Sequence, residues 1–297
     1  MVKISIIICS YNRDFYILDA LESLKKQNES KENFEIIVVN NNSTDKTEEK
    51  CKKFERENPD LNFVYKVERK QGLSFARNTG IEISNTPLVA FIDDDAIAEE
   101  DYVTNLIKNF AEYPKYEAIG GKVIPIYPEN KEPEWMSNYI QRLVSKVDDG
   151  EIKGEFKNKY PVGCNMAFRK EVFNEIGGFN TDLTLRSDDK YIFYKFKKAK
   201  KKTLYVPELI VHHNIEDFRL TPKFINKLSR LNGHSEAMRL RSEPFFKSIV
   251  KFFENTFKFG VTIPLSLPFI FRGQYSKAYY LIKVMFLTWI GFLYYKD

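Results

Sequence analysis

Short apolar runs alternate with segments of helical periodicity along the first hundred residues. The apolar runs are typical of buried strands, and they cover residues 4–10, 34–39, 63–65 and 88–92. Apolar side chains recur at helical spacing between them, which predicts helices over residues 15–24, 45–54 and 72–84. This alternation predicts an α/β fold, a mostly parallel twisted sheet with helices on both faces.

Polar residues stand where three of these predicted strands end. Tyr11 follows the first strand, Asn40 the second and Asp93 the fourth. Ligands of such sheets bind outside the carboxyl ends of the strands. The pattern therefore predicts that three separate segments converge on one crevice.

Three consecutive aspartates, Asp93, Asp94 and Asp95, come directly after the apolar run 88–92. Carboxylates at the end of a buried strand repel one another and must be hydrated, paired or bound to a cation. Oxygen ligands suit Mg²⁺ or Mn²⁺, and such ions often hold substrate phosphates as well. The triplet thus predicts a site for a metal-bound phosphate compound. A polar turn that caps the next helix is the alternative.

The middle of the chain is less regular. Four prolines punctuate residues 125–161, which we expect to form a long loop near the site. Residues 163–168 return to strand-like character, and Gly177-Gly178-Phe179 reads as a turn. The pair Asp188-Asp189 then opens a predicted helix.

The last part of the chain is apolar and basic. Residues 257–271 and 278–295 are apolar stretches interrupted by lysine, and the first also contains two prolines. A spanning helix needs about 20 apolar residues. Flanking Lys and Arg with clustered Tyr and Trp favour segments that lie in a membrane interface. The alternative is a helical subdomain packed on the body or on a partner chain. We predict two regions, 1–222 and a helical region 223–297.

Charge and cysteine usage bear on partners and location. Residues 223–297 hold 12 Lys and Arg against 4 Asp and Glu, whereas the other 222 residues hold 34 against 37. A basic, aromatic tail predicts a membrane surface as partner and not a nucleic acid. Three widely spaced cysteines without metal or disulfide spacing favour a reducing compartment. The N-terminal apolar run lacks a cleavage pattern and reads as a strand. These features predict a cytoplasmic protein, peripheral or monotopic at the cytoplasmic face of the cell membrane.

An ordered set of motifs resembles the family 2 glycosyltransferases, which have the GT-A fold. The motifs are IIICSYNR at residues 6–13, VVNNNSTD at 38–45, GLSFARNTG at 72–80, FIDDD at 91–95, GCNMAFR at 163–169 and GGF at 177–179. The resemblance covers about residues 3–220. It implies transfer of a sugar, with inversion, from a nucleotide diphosphosugar.

The resemblance also implies roles for residues on the nucleotide side. Tyr11 and Arg13 are placed to pack on or bond the nucleotide. Asn40 and Asn41 stand where the family often has aspartate against the base, and an amide offers both a donor and an acceptor to a base edge. Arg77 is placed to reach the diphosphate or a site carboxylate.

The resemblance assigns the metal and the general base as well. Asp95, Asp93 and His213 are the expected ligands of Mn²⁺ or Mg²⁺, and Asp93 and Asp95 match the two outer positions of the DxD motif. Asp93 or Asp94 is expected to contact the ribose or metal-bound water. Asp189 is the expected base, which takes the proton of the acceptor hydroxyl; its partner Asp188 stands where the family commonly has glutamate and is the alternative base.

Two further residues are candidates for contacts with sugars, Trp135 in the proline-rich segment and Asn165 in the strand before the base. The predicted activity is thus metal-dependent, inverting transfer from a UDP-, dTDP- or GDP-sugar to a saccharide or lipid-linked acceptor, in cell-surface glycan or lipid-linked saccharide synthesis. A nucleotidyltransferase is an alternative, although the segment after the first strand lacks the glycine that would hold a triphosphate. A non-catalytic nucleotide-sugar-binding scaffold is the other.

Overall fold

The structure is a computed structural model that describes residues 2–156, 159–182, 188–241 and 243–294. Contacts divide the chain into two compact units. The first consists of Met1–Ile124, Val147–Thr184 and Asp188–Asn214, and the second mainly of Pro125–Lys146 and Ile215–Asp297. The contacts thus group residues 125–146 with the C-terminal helices, whereas the predicted boundary lies at residue 222.

A nine-stranded sheet forms the centre of the first unit. Its path runs β3-β2-β1-β4-β8-β6-β9-β5, and β7 pairs with β9. The strands are β1 Ile4–Ser10, β2 Phe34–Asn40, β3 Phe63–Val67, β4 Leu88–Asp93, β5 Ala96–Ala98, β6 Ala118–Ile126, β7 Gly154–Glu155, β8 Met166–Arg169 and β9 Thr203–Asn214.

The sheet is parallel over strands β1 to β4. Strand β1 pairs in parallel with β2 and β4, and β2 with β3. Strand β8 pairs antiparallel with both β4 and β6, and β9 is antiparallel to β5 and β7. The predicted α/β fold is confirmed, but "mostly parallel" describes the first half alone. Apolar runs identify strands and carry no information on the direction in which a later strand returns.

Helices cover both faces of this sheet, as predicted. Side chains alternate along a strand, so Ile6 and Ile8 enter one apolar cluster while Ile7 enters the other. The first cluster includes residues of α1, α2 and α4, and the second residues of α3, α5 and α6. These helices span Ile17–Lys25 (α1), Thr47–Glu57 (α2), Leu73–Ile83 (α3), Tyr102–Glu112 (α4), Val172–Ile176 (α5) and Asp188–Lys198 (α6).

The second unit is helical. Its long helices are α7 Pro222–Leu240, α8 Phe245–Phe271 and α9 Tyr275–Tyr294, and short 3₁₀ helices form at Pro128–Asn130, Gln141–Val144 and Asp217–Leu220. Helices α7 and α9 lie in close contact at two glycines. A Cβ atom on Gly233 would lie 2.0 Å from the Thr288 carbonyl oxygen, and a Cβ atom on Gly291 would lie 2.1 Å from the Arg230 carbonyl oxygen. None of the helices in the described part of the chain is long and apolar enough to cross a membrane.

Residues 125–146 belong to the segment 125–161, for which the sequence predicts a long loop. Tyr127, Met136, Ile140 and Val144 are buried in the apolar cluster of the second unit. Their apolar side chains are spaced irregularly among prolines and charges, so no helical or strand period marks them in the sequence.

Candidate active site

The aspartate triplet lies in the tight connection between two strands. Asp93 ends β4, and Asp94 and Asp95 lead into β5. Because β5 pairs with β9, the Asn214 amide donates to the Asp95 carbonyl oxygen at 2.9 Å, and His213 lies opposite Ala96. This register brings His213 Nε2 to 3.1 Å from Asp95 Oδ1.

His213 and its neighbour point to opposite sides of β9, as alternation along a strand predicts. His213 is 1% exposed and contacts Asp95. His212 is partly exposed, with Nε2 2.6 Å from Glu99 Oε1. The structure therefore places His213 and not His212 beside the aspartates.

Three neighbouring carboxyl groups are crowded together at this point, where water is largely excluded. Asp94 and Asp95 are buried. Burial raises the pKa of the Asp93 carboxyl, against the lowering effect of Arg77. Burial and the neighbouring Asp95 carboxylate raise the pKa of Asp94 well above its usual range. Arg13 Nε lies 3.9 Å from Asp94 Oδ1. Such a cluster favours a bound cation, since a divalent ion offsets the repulsion between the carboxylates.

Arg77 of α3 joins the triplet to the start of α6. Its side chain is buried, with Nη2 3.3 Å from Asp93 Oδ1 and Nη1 hydrogen-bonded to Asp188 Oδ2. Burial lowers the pKa of the Arg77 guanidinium, but the Asp188 and Asp93 carboxylates outweigh it and raise the pKa above its usual range. The predicted contact with a site carboxylate is thus present in the structure.

Asp189 stands beside the same network. Its Oδ2 accepts from the Gly163 amide at 3.2 Å, and the Gly163 carbonyl oxygen accepts from Arg77 Nη2 at 3.3 Å. A Cβ atom on Gly163 would lie 2.5 Å from Arg77 Nη2. Glycine at this position therefore leaves room for a guanidinium that two carboxylates hold in place.

A possible metal centre includes a residue that the sequence does not indicate. Asp93, Cys164 and His213 each offer one ligand atom, and these atoms lie within 4.8 Å of one another. Carboxylate, thiol and imidazole groups are all competent ligands of divalent transition metals, so this donor set fits a bound cation. Cys164 escapes sequence reasoning because the three ligands come from distant segments and show no local spacing.

The loops that follow β1 and β2 are joined by hydrogen bonds on the predicted nucleotide side. The Asn12 amide donates to Ser43 Oγ at 3.0 Å, and the Thr44 amide donates to Asn12 Oδ1 at 2.8 Å. The Arg13 amide donates to Thr47 Oγ1 at 3.1 Å. Tyr11, which precedes Asn12 in the loop after β1, is 47% exposed. Tyr11 is therefore partly accessible from solvent.

Asn40 and Asn41 shape these loops from within. Asn40 Nδ2 donates to the Tyr65 hydroxyl at 2.7 Å, and its Oδ1 accepts from the Ser43 amide. Asn41 Nδ2 donates to the carbonyl oxygens of residues 68 and 70, and its Oδ1 accepts from the Gly72 amide. Both side chains are buried. A base contact stays a prediction, and the amide of Asn41 already uses its hydrogen-bonding capacity inside the protein.

The two predicted sugar contacts involve Asn165 and Trp135. Asn165 Nδ2 donates to the Lys122 and Leu209 carbonyl oxygens, and its Oδ1 accepts from the Tyr102 hydroxyl. Asn165 is buried, and these bonds tie the residue before β8 to β6 and β9. The contact of Asn165 with a sugar stays a prediction. Trp135 belongs to the second unit, where it stacks on Tyr280 with ring centroids 4.7 Å apart. Its contact with a sugar stays a prediction.

Solved structures with the same fold define the fold class of the chain. A mannosyltransferase from Pyrobaculum calidifontis, in complex with GDP-Man and Mn²⁺, superposes with a TM-score of 0.63 at 18% identity over 96% of this chain and 73% of that one. Staphylococcus aureus TarS 1–349 with UDP-GlcNAc gives 0.58 at 19% identity over 82% and 68%. The fold is therefore that of the GT-A glycosyltransferases.

The family follows from the sequence match. The model of "Glycosyl transferase family 2" matches residues 5–177, and the chain belongs to this family of glycosyltransferases. The glucosyl-dolichyl phosphate glucuronosyltransferase of Haloferax volcanii is 28% identical over 79% of this chain and 76% of its own length. GlyA of Streptococcus pneumoniae is 39% identical over 76% of this chain, and GgaB of Bacillus subtilis, a minor teichoic acid biosynthesis protein, is 34% identical over 72%. This chain spans only 32% and 23% of those two proteins.

Proposed function

We propose that this glycosyltransferase moves a sugar from a nucleotide diphosphosugar to an acceptor hydroxyl, with inversion and with the help of Mn²⁺ or Mg²⁺. The observation that carries the proposal is the buried network at the end of β4. It joins the aspartate triplet, through Arg77, to the carboxylates that begin α6. A phosphate-binding cation and a proton acceptor at one sheet edge are the two elements that such a transfer requires.

The donor belongs to the uridine, deoxythymidine or guanosine diphosphosugars. Solved proteins of the same fold bind UDP-GlcNAc and GDP-Man. On this chain, Tyr11 offers a partly exposed ring for a base to stack on, and Arg13 in the same loop lies beside Asp94. Asp93, Asp95 and His213 would hold the cation, which supplies positive charge to the departing nucleotide diphosphate.

Asp189 acts as the general base. It takes the proton of the acceptor hydroxyl while that oxygen bonds to the anomeric carbon, and the bond from this carbon to the diphosphate oxygen breaks with its electron pair on the diphosphate. Attack on the face opposite the leaving group inverts the anomeric centre. Asp188 is less suited to this role, because its carboxylate is engaged by the buried Arg77 guanidinium.

A donor screen tests this proposal. We expect one nucleotide sugar, with Mn²⁺, to raise the melting temperature, because a ligand that binds only the native state stabilises it by mass action. The same donor should release nucleotide diphosphate when an acceptor is present. In Asp95→Asn, the donor affinity derived from thermal shift and the rate of nucleotide diphosphate release should each fall by about tenfold or more, since even a change at an outer-shell partner of a metal costs 10- to 100-fold. Asp60→Asn on the exposed surface serves as the matched control. Binding without turnover, with every acceptor supplied, would instead favour the scaffold.

The proposed acceptor is a lipid-linked or membrane-adjacent saccharide, reached from the cytoplasmic face of a membrane. Helix α8 supports this, because its amphipathicity is inverted. Thr262 and Ser266 are its buried residues. Large apolar side chains form an outward stripe in two stretches of the helix, residues 246–257 and 263–271. The stripe comprises Phe246, Ile249, Val250, Phe253, Phe257, Ile263, Leu267, Ile270 and Phe271.

The charge and the prolines of α8 favour the interfacial zone of a bilayer. The basic balance of residues 223–297 complements anionic headgroups. Pro264 and Pro268 lie within α8 on its exposed side. Each lacks an amide hydrogen, so a carbonyl oxygen one turn earlier loses its helical donor. Such a carbonyl group tolerates the hydrated headgroup region but not the hydrocarbon core.

Vesicle flotation measures this attachment. We expect the full chain to float with vesicles of phosphatidylcholine mixed with phosphatidylglycerol, and to bind vesicles of phosphatidylcholine alone more weakly. Replacing both Phe253 and Phe257 with glutamate should weaken binding about 100-fold or more, since each buried phenylalanine contributes about 1.5–3 kcal/mol. Ile152→Glu, at an exposed site of the first unit, is the control. A protein that stays unbound and sediments as a dimer would show that this stripe joins two copies.

A further inference from the structure

We propose that Cys164 is a direct metal ligand, which makes this site selective for thiophilic divalent cations such as Zn²⁺, Co²⁺ and Cd²⁺ over Mg²⁺. The inference deepens the proposed use of a metal and concerns the same cation. It assigns a chemical role to a thiol that stands in none of the expected ligand positions.

The geometry brings the sulfur to the ligands from a third strand. Asp93 ends β4, His213 lies near the end of β9, and Cys164 is two residues before β8. Ligand atoms of the three residues lie within 4.8 Å of one another. Ligands around one cation lie about 3–4 Å apart, given metal–ligand bonds of about 2.0–2.3 Å. Small side-chain rotations therefore suffice to close the set around an ion.

The backbone on both sides of Cys164 is anchored. The preceding residue, Gly163, donates its amide to Asp189 and accepts from Arg77. In the following residue, Asn165, the side-chain amide donates to two buried carbonyl oxygens and accepts from the Tyr102 hydroxyl. Cys164 is thus held in position by neighbours that have their own partners. A ligand fixed in this way loses little conformational freedom when the metal binds.

The chemistry of the donor set determines the preference. Carboxylates alone suit Mg²⁺, which demands oxygen ligands and retains water. A thiolate and an imidazole shift the preference to Zn²⁺ and its softer relatives, which bind sulfur and nitrogen. Mn²⁺ is served by the carboxylates and the imidazole and remains compatible with the site.

Cadmium and cobalt titrations of the full chain test this role. The wild-type protein should bind one Cd²⁺ with an ultraviolet sulfur-to-metal charge-transfer band that excess Mg²⁺ does not remove. Cys164→Ser should lose the band and at least about tenfold in Cd²⁺ affinity, since even outer-shell changes cost 10- to 100-fold, while Mg²⁺ affinity changes little. Two other cysteines serve as controls: Cys51 is buried in the core of the first unit, and Cys9 pairs with Asp93 in the β1–β4 register. Cys51→Ser and Cys9→Ser should keep the charge-transfer band and the Cd²⁺ affinity of the wild-type protein.

Each result bears on the inference. A Cys164→Ser protein that keeps the band, or a band that disappears in Cys9→Ser instead, would overturn it. If Cys164→Ser does not fold, X-ray absorption of the cadmium-loaded wild-type protein decides, because sulfur must appear among the direct ligands. A sulfur–metal bond without sugar transfer from any donor would contradict the proposed function alone. Transfer with Mg²⁺ and no sulfur–metal bond would contradict this inference alone.

Discussion

Replacing Asp189 with asparagine should reduce sugar transfer by about 10²- to 10⁴-fold, the range that positioned general bases contribute. Asparagine has nearly the same shape and can still accept from the Gly163 amide, so the start of α6 should remain intact. Asparagine cannot take a proton from the acceptor hydroxyl. The loss should therefore appear in kcat, while donor affinity measured by thermal shift stays within about twofold of wild type.

Two other aspartates, Asp182 and Asp188, provide controls for this result. Asp182→Asn, at an exposed position before α6, should leave transfer unchanged. Asp188→Asn should lower the free energy of unfolding, because it removes a buried partner of Arg77. Full activity in Asp189→Asn together with loss in a folded Asp188→Asn protein would move the base to Asp188.

Replacing Arg77 with methionine should lower the free energy of unfolding by about 3–5 kcal/mol, the effect of breaking a buried ion pair. Arg77 is 2% exposed, and its guanidinium pairs with Asp188 and Asp93. Its carbon centre also lies 5.7 Å and 5.3 Å from the rings of Phe91 and Phe179. Methionine fills similar volume but leaves the Asp188 carboxylate buried without its cation. Urea unfolding followed by circular dichroism measures the change.

A double variant separates charge from packing in this prediction. Arg77→Met with Asp188→Leu removes both charges, so the loss should be smaller than in Arg77→Met alone. Arg56→Met, on the exposed face of α2, should cost less than about 0.5 kcal/mol. An Arg77→Met protein as stable as wild type would show that the buried pair does not hold α3, β4 and α6 together.

Sequence reasoning recovers the half of the fold in which local pattern and topology agree. Strands β1 to β4 are long apolar runs separated by amphipathic helices, and the structure has them within about two residues of the predicted ends. Strands β5 and β7 contain three and two residues, which is too short for any period. Their pairing with β9 is a tertiary property, yet β5 is the strand that brings His213 to the aspartates.

The candidate site, too, could be predicted only in part from the sequence. Carboxylates directly after a buried strand stand out in the sequence, because burying a carboxylate without a partner costs free energy. Asn165 is conspicuous for the same reason, but its partners are backbone carbonyl groups of other strands that the sequence does not reveal. Cys164 has the opposite property: it resembles an ordinary core residue until the fold places it beside Asp93 and His213.

The hydrogen bonds between the loops after β1 and β2 have a consequence for the thermodynamics of donor binding. Asn12 adopts a left-handed backbone conformation with φ of 53°, and its amide and side chain tie it to Ser43 and Thr44. Ordering a loop residue costs about 1–2 kcal/mol of conformational free energy. The hydrogen bonds of Asn12 order it on folding, so that nucleotide binding does not have to order it again. Calorimetry of nucleotide binding should therefore report a small heat-capacity change and little entropic penalty, as for a ligand entering a rigid cleft.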